Sequence, residues 1–145
     1  MGRERLIRLT NPEETLRFGA QIAMEIAPDC KILALKGELG AGKTTFVQGV
    51  LQGLKIQDTA QSPTFTYLQI YHGEYPVYHF DLYRLMKEQD FVLLGFEEYL
   101  YGCGLTVIEW PERIASLIPS NAPLIEISYD TPEGRMAEIT TWGKR

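Results

Sequence analysis

Apolar and polar positions follow two rhythms along this chain, and the switches between them mark its elements. LIRL (6–9) reads as a short strand. Thr10-Asn11-Pro12-Glu13-Glu14 is a helix start: Thr10 or Asn11 can cap, proline suits the first turn, and the acids favour the positive helix end. TLRFGAQIAMEIA (15–27) then carries apolar residues at helical spacing. KILALKG (31–37) is a short apolar run of the kind that forms a buried parallel strand, and TTFVQGVLQGL (44–54) returns to the helical period.

TFTYLQIY (64–71) and YPVYHFDLY (75–83) flank a tight His72-Gly73-Glu74 connection, which predicts a β-hairpin. EEYLY (97–101) closes a helical region, LTVIEW (105–110) is another buried strand, and PERIASLI (111–118) opens a helix on proline. LIEISYD (124–130) and MAEITTWG (136–143) give two last strands around Thr-Pro-Glu-Gly-Arg. The sum is one α/β domain over residues 1–145, with about seven strands and four helices. Its sheet is mixed and mainly parallel, with an antiparallel hairpin.

Composition narrows the class. At 145 residues and 45% hydrophobic, the chain can bury a core without staples. No apolar run approaches a membrane span, and MGRERLIRLT is too charged for a secretory signal, so a cytoplasmic protein without a membrane partner is expected. Cys30 and Cys103 lack metal-site spacing and read as reduced thiols. The net charge of −5, with six lysines and eight arginines scattered, argues against direct binding of DNA or RNA.

The chemistry begins at Gly37-Glu38-Leu39-Gly40-Ala41-Gly42-Lys43-Thr44, which meets G-x-x-x-x-G-K-[ST] at every fixed position. It stands between a predicted strand and a predicted helix, as the phosphate-binding loop requires. Glycines let the backbone curl so that several N–H groups face a phosphate chain, and the helix start adds its dipole. Lys43 supplies charge for the β and γ phosphates, and the Thr44 hydroxyl can reach Mg²⁺. Thr45 is either a phosphate contact or an ordinary first-turn residue. A three-layer fold of the P-loop nucleoside-triphosphatase kind follows, with ATP and Mg²⁺ as expected ligands.

Two carboxylates could complete such a site. Glu109 ends an apolar run, where the carboxyl edge of a parallel strand meets ligands; an aspartate is commoner there, and a solvated strand end is the plain alternative. Asp81 lies in Tyr78-His79-Phe80-Asp81-Leu82-Tyr83-Arg84, where Phe80 and Leu82 share the core-facing side and His79, Asp81 and Tyr83 the other. Asp81 orients a water, holds the metal, or simply pairs with Arg84. His79 can be structural or functional. Ser62-Pro63-Thr64-Phe65 places Thr64 where nucleotide switches sense the γ-phosphate, although Ser-Pro is also a turn signal. No N-K-x-D motif reads guanine, so adenine is the expected base. Arginines are too few after Pro111 for a kinase lid. A small ATP-binding switch or weak ATPase remains, against a small-molecule phosphotransferase or a nucleotide-dependent binding module without turnover.

G-E-L-G-A-G-K-T-T-F, S-P-T-F, Y-H-F-D-L-Y-R-L and V-I-E-W-P-E-R occur in this order and together closely resemble the TsaE (YjeE) family. The resemblance runs from about Leu6 to the final strands, and the family has glutamate at the position of Glu109. It implies a Mg-dependent ATPase that assists threonylcarbamoyladenosine formation beside the tRNA anticodon. Such a protein acts on a TsaB–TsaD pair and meets tRNA only through it. It further implies that Glu38, Leu39, Gly40, Ala41, Gly42, Lys43, Thr44 and Thr45 bind the phosphates, and that Thr44 and Glu109 hold Mg²⁺. Lys43, Thr64, Asp81 and Glu109 would serve the chemistry. Asn11, Pro12, Arg135 and Glu112 would lie at the edges of the nucleotide.

Overall fold

A computed structural model describes residues 5–62 and 66–145. Its seven strands are β1 (Arg5–Leu9), β2 (Ile32–Gly37), β3 (Leu68–Tyr71), β4 (Val77–Asp81), β5 (Leu105–Glu109), β6 (Pro123–Tyr129) and β7 (Arg135–Thr141). They form one sheet in the order β1-β7-β6-β2-β5-β4-β3. The central strands β6, β2, β5 and β4 run parallel, while β3 and β7 run against them. The expected hairpin is β3–β4. Thr66 and Tyr67 turn ahead of it, and Pro63, Thr64 and Phe65 lie outside the described residues.

The helices among the described residues are α1 (Pro12–Ile26), α2 (Lys43–Gly53) and the short α3 (Glu88–Leu93). The Asn11 side chain accepts from the Glu14 N–H at 2.9 Å, and Glu14 in turn accepts from the Thr10 N–H and hydroxyl, so both ends of the α1 entry are satisfied. α1 and α2 pack together on one face of the sheet. There a Cβ on Gly49 would stand 2.1 Å from the Leu16 carbonyl oxygen, so only glycine permits this approach. Phe46 and Phe18 meet with centroids 5.5 Å apart in that layer. Burying each ring is worth about 2–3 kcal/mol.

The opposite face carries α3, the 3₁₀ segment Phe96–Tyr101 and the segment Pro111–Leu117, with Phe91 of α3 packed in one cluster with Phe80 and Ile108 of the sheet. This last segment differs from the α-helix its sequence predicts. It is 3₁₀ in character and breaks at Ile114, where φ is −129. The indole of Trp142 donates to the Ala115 carbonyl at 3.1 Å, so a tertiary bond reaches the carbonyl of a helix that is already irregular. Cys30 and Cys103 are free thiols. Among the described residues, no helix is long and apolar enough to cross a membrane.

Candidate functional site

The glycine-rich segment joins the end of β2 to the start of α2. Gly40 (φ +80) and Gly42 (φ +106) take left-handed backbone that side-chain-bearing residues resist. The Ala41 N–H closes the turn on the Glu38 carbonyl at 3.0 Å, and the Phe46 N–H reaches the Gly42 carbonyl at 2.9 Å to open α2. The N–H groups of Lys43, Thr44 and Thr45 therefore have no acceptor inside the helix. Leu39, Gly40, Gly42, Lys43, Thr44 and Thr45 form one wall of a cleft of about 710 Å³.

Acidic groups converge on the other side. β4 and β5 run parallel with Asp81 opposite Glu109, and β2 sets Leu35 against Glu109, so both carboxylates emerge at the same sheet edge as the loop. Glu109 is only 4% exposed. Its Oε1 lies 3.2 Å from Lys43 Nζ, and its Oε2 lies 2.5 Å from His79 Nε2. Burial would raise its pKa, but the His79 hydrogen bond and the Lys43 ammonium outweigh burial and hold it below the usual carboxylate range. Asp81 goes the other way. Burial, reinforced by the charge of Glu109, raises its pKa, although the Tyr83 N–H donates to Oδ1 at 3.0 Å.

His79 is fully buried, so both sides of β4 are covered and its non-core side is not solvent-facing. Its Nδ1 has no hydrogen-bond partner among the described residues, and its ring stacks near Tyr71 at 6.3 Å. The Tyr71 hydroxyl accepts from the Gln61 N–H at 2.7 Å and donates to the Gln61 carbonyl at 3.1 Å, pinning the chain just before Ser62.

Ser62, Tyr67, Tyr83, Arg84 and Trp110 complete the cleft. Tyr67 (φ +61) and Trp110 (φ +58) are non-glycine residues in left-handed backbone, a strain of roughly 1–3 kcal/mol each that collects at functional sites. Trp110 is held by Tyr83 at 5.0 Å and by the Arg113 guanidinium at 5.4 Å.

Thus Leu39, Gly40, Gly42, Lys43, Thr44, Thr45, Asp81 and Glu109 come together. Glu38 and Ala41 belong to the same turn, with Ala41 buried. Asn11 caps α1 and Pro12 opens it, outside the cleft lining; Thr15 in that first turn sits beside Gly42. Glu112 pairs with Lys36 at 3.5 Å and does not line the cleft either. Arg135 lies behind the loop, donating to the carbonyls of Ala41 at 3.2 Å and Gly40 at 3.3 Å. Thr64 lies outside the described residues. Sequence reasoning left His79 open and assigned no functional role to Tyr67 or Trp110. The position of Trp110 directly after Glu109 was the available signal.

The donor set suits Mg²⁺ with a polyphosphate. Thr44 and Glu109 offer hard oxygens, and among the described residues no group of three or more His, Cys, Asp or Glu side chains could hold a metal alone, so phosphate oxygens would supply the balance.

The chain matches the model of the family "Threonylcarbamoyl adenosine biosynthesis protein TsaE" over residues 9–137. It is 43% identical over 115 residues to the tRNA threonylcarbamoyladenosine biosynthesis protein TsaE of Treponema pallidum, covering 79% of this chain and 84% of that one. The Bacillus subtilis protein of the same name is 38% identical over 139 residues, covering 95% and 86%. The crystal structure of Bacillus subtilis YdiB superposes with a TM-score of 0.79 at 34% identity, over 100% of this chain and 90% of that one. A complete glycine-rich loop, a buried glutamate facing its lysine and likeness along nearly the whole chain agree: this chain belongs to the TsaE family of threonylcarbamoyl adenosine biosynthesis proteins.

Proposed function

We propose that this chain binds Mg-ATP in the cleft, hydrolyses it slowly, and serves tRNA threonylcarbamoyladenosine synthesis in the cytoplasm as an accessory ATPase acting on a TsaB–TsaD pair. The observation that carries this reading is the contact between Lys43 Nζ and Glu109 Oε1 at 3.2 Å, with Asp81 opposite Glu109 in the sheet. A buried ion pair costs desolvation that its own attraction recovers only in part. A pair that opens onto a polyphosphate cleft has a better use, because Lys43 can part from the carboxylate and neutralise phosphate oxygens.

The roles follow from placement. Backbone N–H groups of the loop and Lys43 bind the phosphates. Thr44 and Glu109 would hold Mg²⁺, which supplies charge neutralisation on the phosphate oxygens when bound. Asp81, with its raised pKa, is the better proton acceptor of the two acids, and we assign it the attacking water. Arg84 stands in the same cleft to meet charge on the transferred phosphoryl group. Thr64 keeps the phosphate-sensing role implied by the resemblance. The acidic balance of −5 suits a protein whose partners hold the tRNA.

Phosphate release from Mg-ATP, measured alone and then with a TsaB–TsaD pair and tRNA, tests the reading. Stimulation by the pair is expected, and Lys43→Ala should lose at least about 100-fold in both settings. Equal rates with and without the pair would sink the accessory role and favour an independent phosphotransferase. Tight Mg-ATP binding with no turnover in either setting would leave a binding module.

A further inference from the structure

The back of the glycine-rich loop is held by the β6–β7 hairpin. The Tyr129 hydroxyl donates to the Leu39 carbonyl at 2.9 Å. Arg135 donates through Nε to the Ala41 carbonyl at 3.2 Å and through Nη2 to the Gly40 carbonyl at 3.3 Å. Its Nη1 donates to the carbonyls of Gly134 at 2.9 Å and Pro132 at 3.4 Å, within the hairpin turn. The guanidinium lies 4.4 Å over the Tyr129 ring. Three consecutive loop carbonyls are therefore fixed from one side by two residues at the facing ends of one hairpin.

Peptide planarity gives this arrangement a consequence. In a trans peptide the C=O and the following N–H point in opposite directions. A Leu39 carbonyl held by Tyr129 turns the Gly40 N–H away from the hairpin. An Ala41 carbonyl held by Arg135 does the same for the Gly42 N–H. The intervening Ala41 N–H is consumed inside the turn by the Glu38 carbonyl. Contact is tight: a Cβ on Gly40 would stand 2.7 Å from the Tyr129 hydroxyl. Four of the five guanidinium N–H groups are already committed to backbone carbonyls of the loop and the hairpin turn.

We propose that Tyr129 and Arg135 are positioning residues that brace the glycine-rich loop, aiming the N–H groups of Gly40 and Gly42 at phosphate. The inference rests on reading the cleft as a polyphosphate site. It assigns to a hairpin about ninety residues away the task of setting the loop's anion affinity.

Binding of Mg-ATP, Mg-GTP and inorganic tripolyphosphate to the full chain tests it, by calorimetry on wild type, Arg135→Ala, Arg135→Lys and Tyr129→Phe. Arg135→Ala should weaken ATP and tripolyphosphate by the same factor, about tenfold, the scale of one lost charge-assisted hydrogen bond. The ATP-to-GTP ratio should not move. Arg135→Lys keeps the charge but cannot span two carbonyls, so it should resemble the alanine variant, and it serves if that variant folds poorly. Tyr129→Phe should act in the same direction, more weakly. Loss of ATP affinity with tripolyphosphate unchanged would overturn the brace and make Arg135 a nucleoside contact. Unchanged binding of both would also overturn it. Wild type that binds neither probe would instead overturn the polyphosphate reading beneath it.

Discussion

On one side of the cleft, Leu39 to Thr45 present mostly backbone, shaped by two left-handed glycines and held from behind by Tyr129 and Arg135. On the other, Asp81, Glu109, Tyr67, Tyr83 and Trp110 present side chains, with two non-glycine residues strained into left-handed backbone. The first wall is the one that binds in the function proposed above: glycine carries its geometry at low steric cost, and its backbone N–H donors carry no titratable charge. The second is the one that reacts in the function proposed above: its two acids are pushed in opposite directions by their surroundings, Glu109 down and Asp81 up. Divergent carboxylates in one cleft are the arrangement that lets two like groups do different work.

The largest effect expected from separating the walls is at Asp81. Asp81→Asn keeps an acceptor for the Tyr83 N–H and removes the basic oxygen. Hydrolysis should fall by about 10²–10⁴-fold while Mg-ATP affinity changes by less than about threefold. Single-turnover rates beside binding isotherms would measure both. A matching loss of affinity would dissolve the distinction between the walls.

A smaller effect is expected one layer further out. His79 holds Glu109 Oε2 and leaves Oε1 to face Lys43. His79→Phe fills the same buried space but strips that bond. If Glu109 holds Mg²⁺ as proposed, the Mg²⁺ concentration for half-maximal hydrolysis should rise by roughly 10–100-fold, the usual loss when the partner of a metal ligand is removed. The control is tripolyphosphate binding without metal, which should stay put. An unmoved Mg²⁺ requirement would reduce His79 to packing.

The walls also differed in how readable they were. The loop could be recognised because its geometry is local: a strand, fixed glycines and a helix within a few residues specify it. Glu109 was readable because a carboxylate ending an apolar run has few places to go. The brace was not, since Tyr129 and Leu39 stand 90 residues apart and nothing in either segment encodes the meeting. His79 was obscured for another reason. Alternation along β4 suggested one core-facing side, but β4 is parallel to β5 and covered on both faces, so a polar residue on the second side is buried too. The left-handed turns at Tyr67 and Trp110 have no signature in residue type at all. In the fold, the seven strands followed the apolar rhythm, and the departure came at Pro111–Leu117, a 3₁₀ segment broken at Ile114 where the apolar spacing had predicted an α-helix.

The smallest expected effect is on stability, and its sign distinguishes the reactive wall from ordinary surface. Burial, with the Glu109 charge, raises the Asp81 pKa in the folded chain above its unfolded value. The folded state then holds the proton more tightly than the unfolded state does, so wild type loses stability as pH rises from the unfolded pKa to the folded one, and the loss persists at neutral pH. Asn at this position never ionises. The melting temperature of Asp81→Asn should therefore match wild type below the unfolded pKa, exceed it as pH rises through the folded pKa, and keep that excess to pH 7, in thermal scans without nucleotide. A variant that is both more stable and nearly inactive would mean that the fold tolerates a poorly solvated charge at Asp81 for the sake of the reaction. A difference that is flat with pH, or a less stable variant at pH 7, would show that Asp81 is adequately satisfied by its neighbours and would remove the reason for preferring it to Glu109 as the proton acceptor.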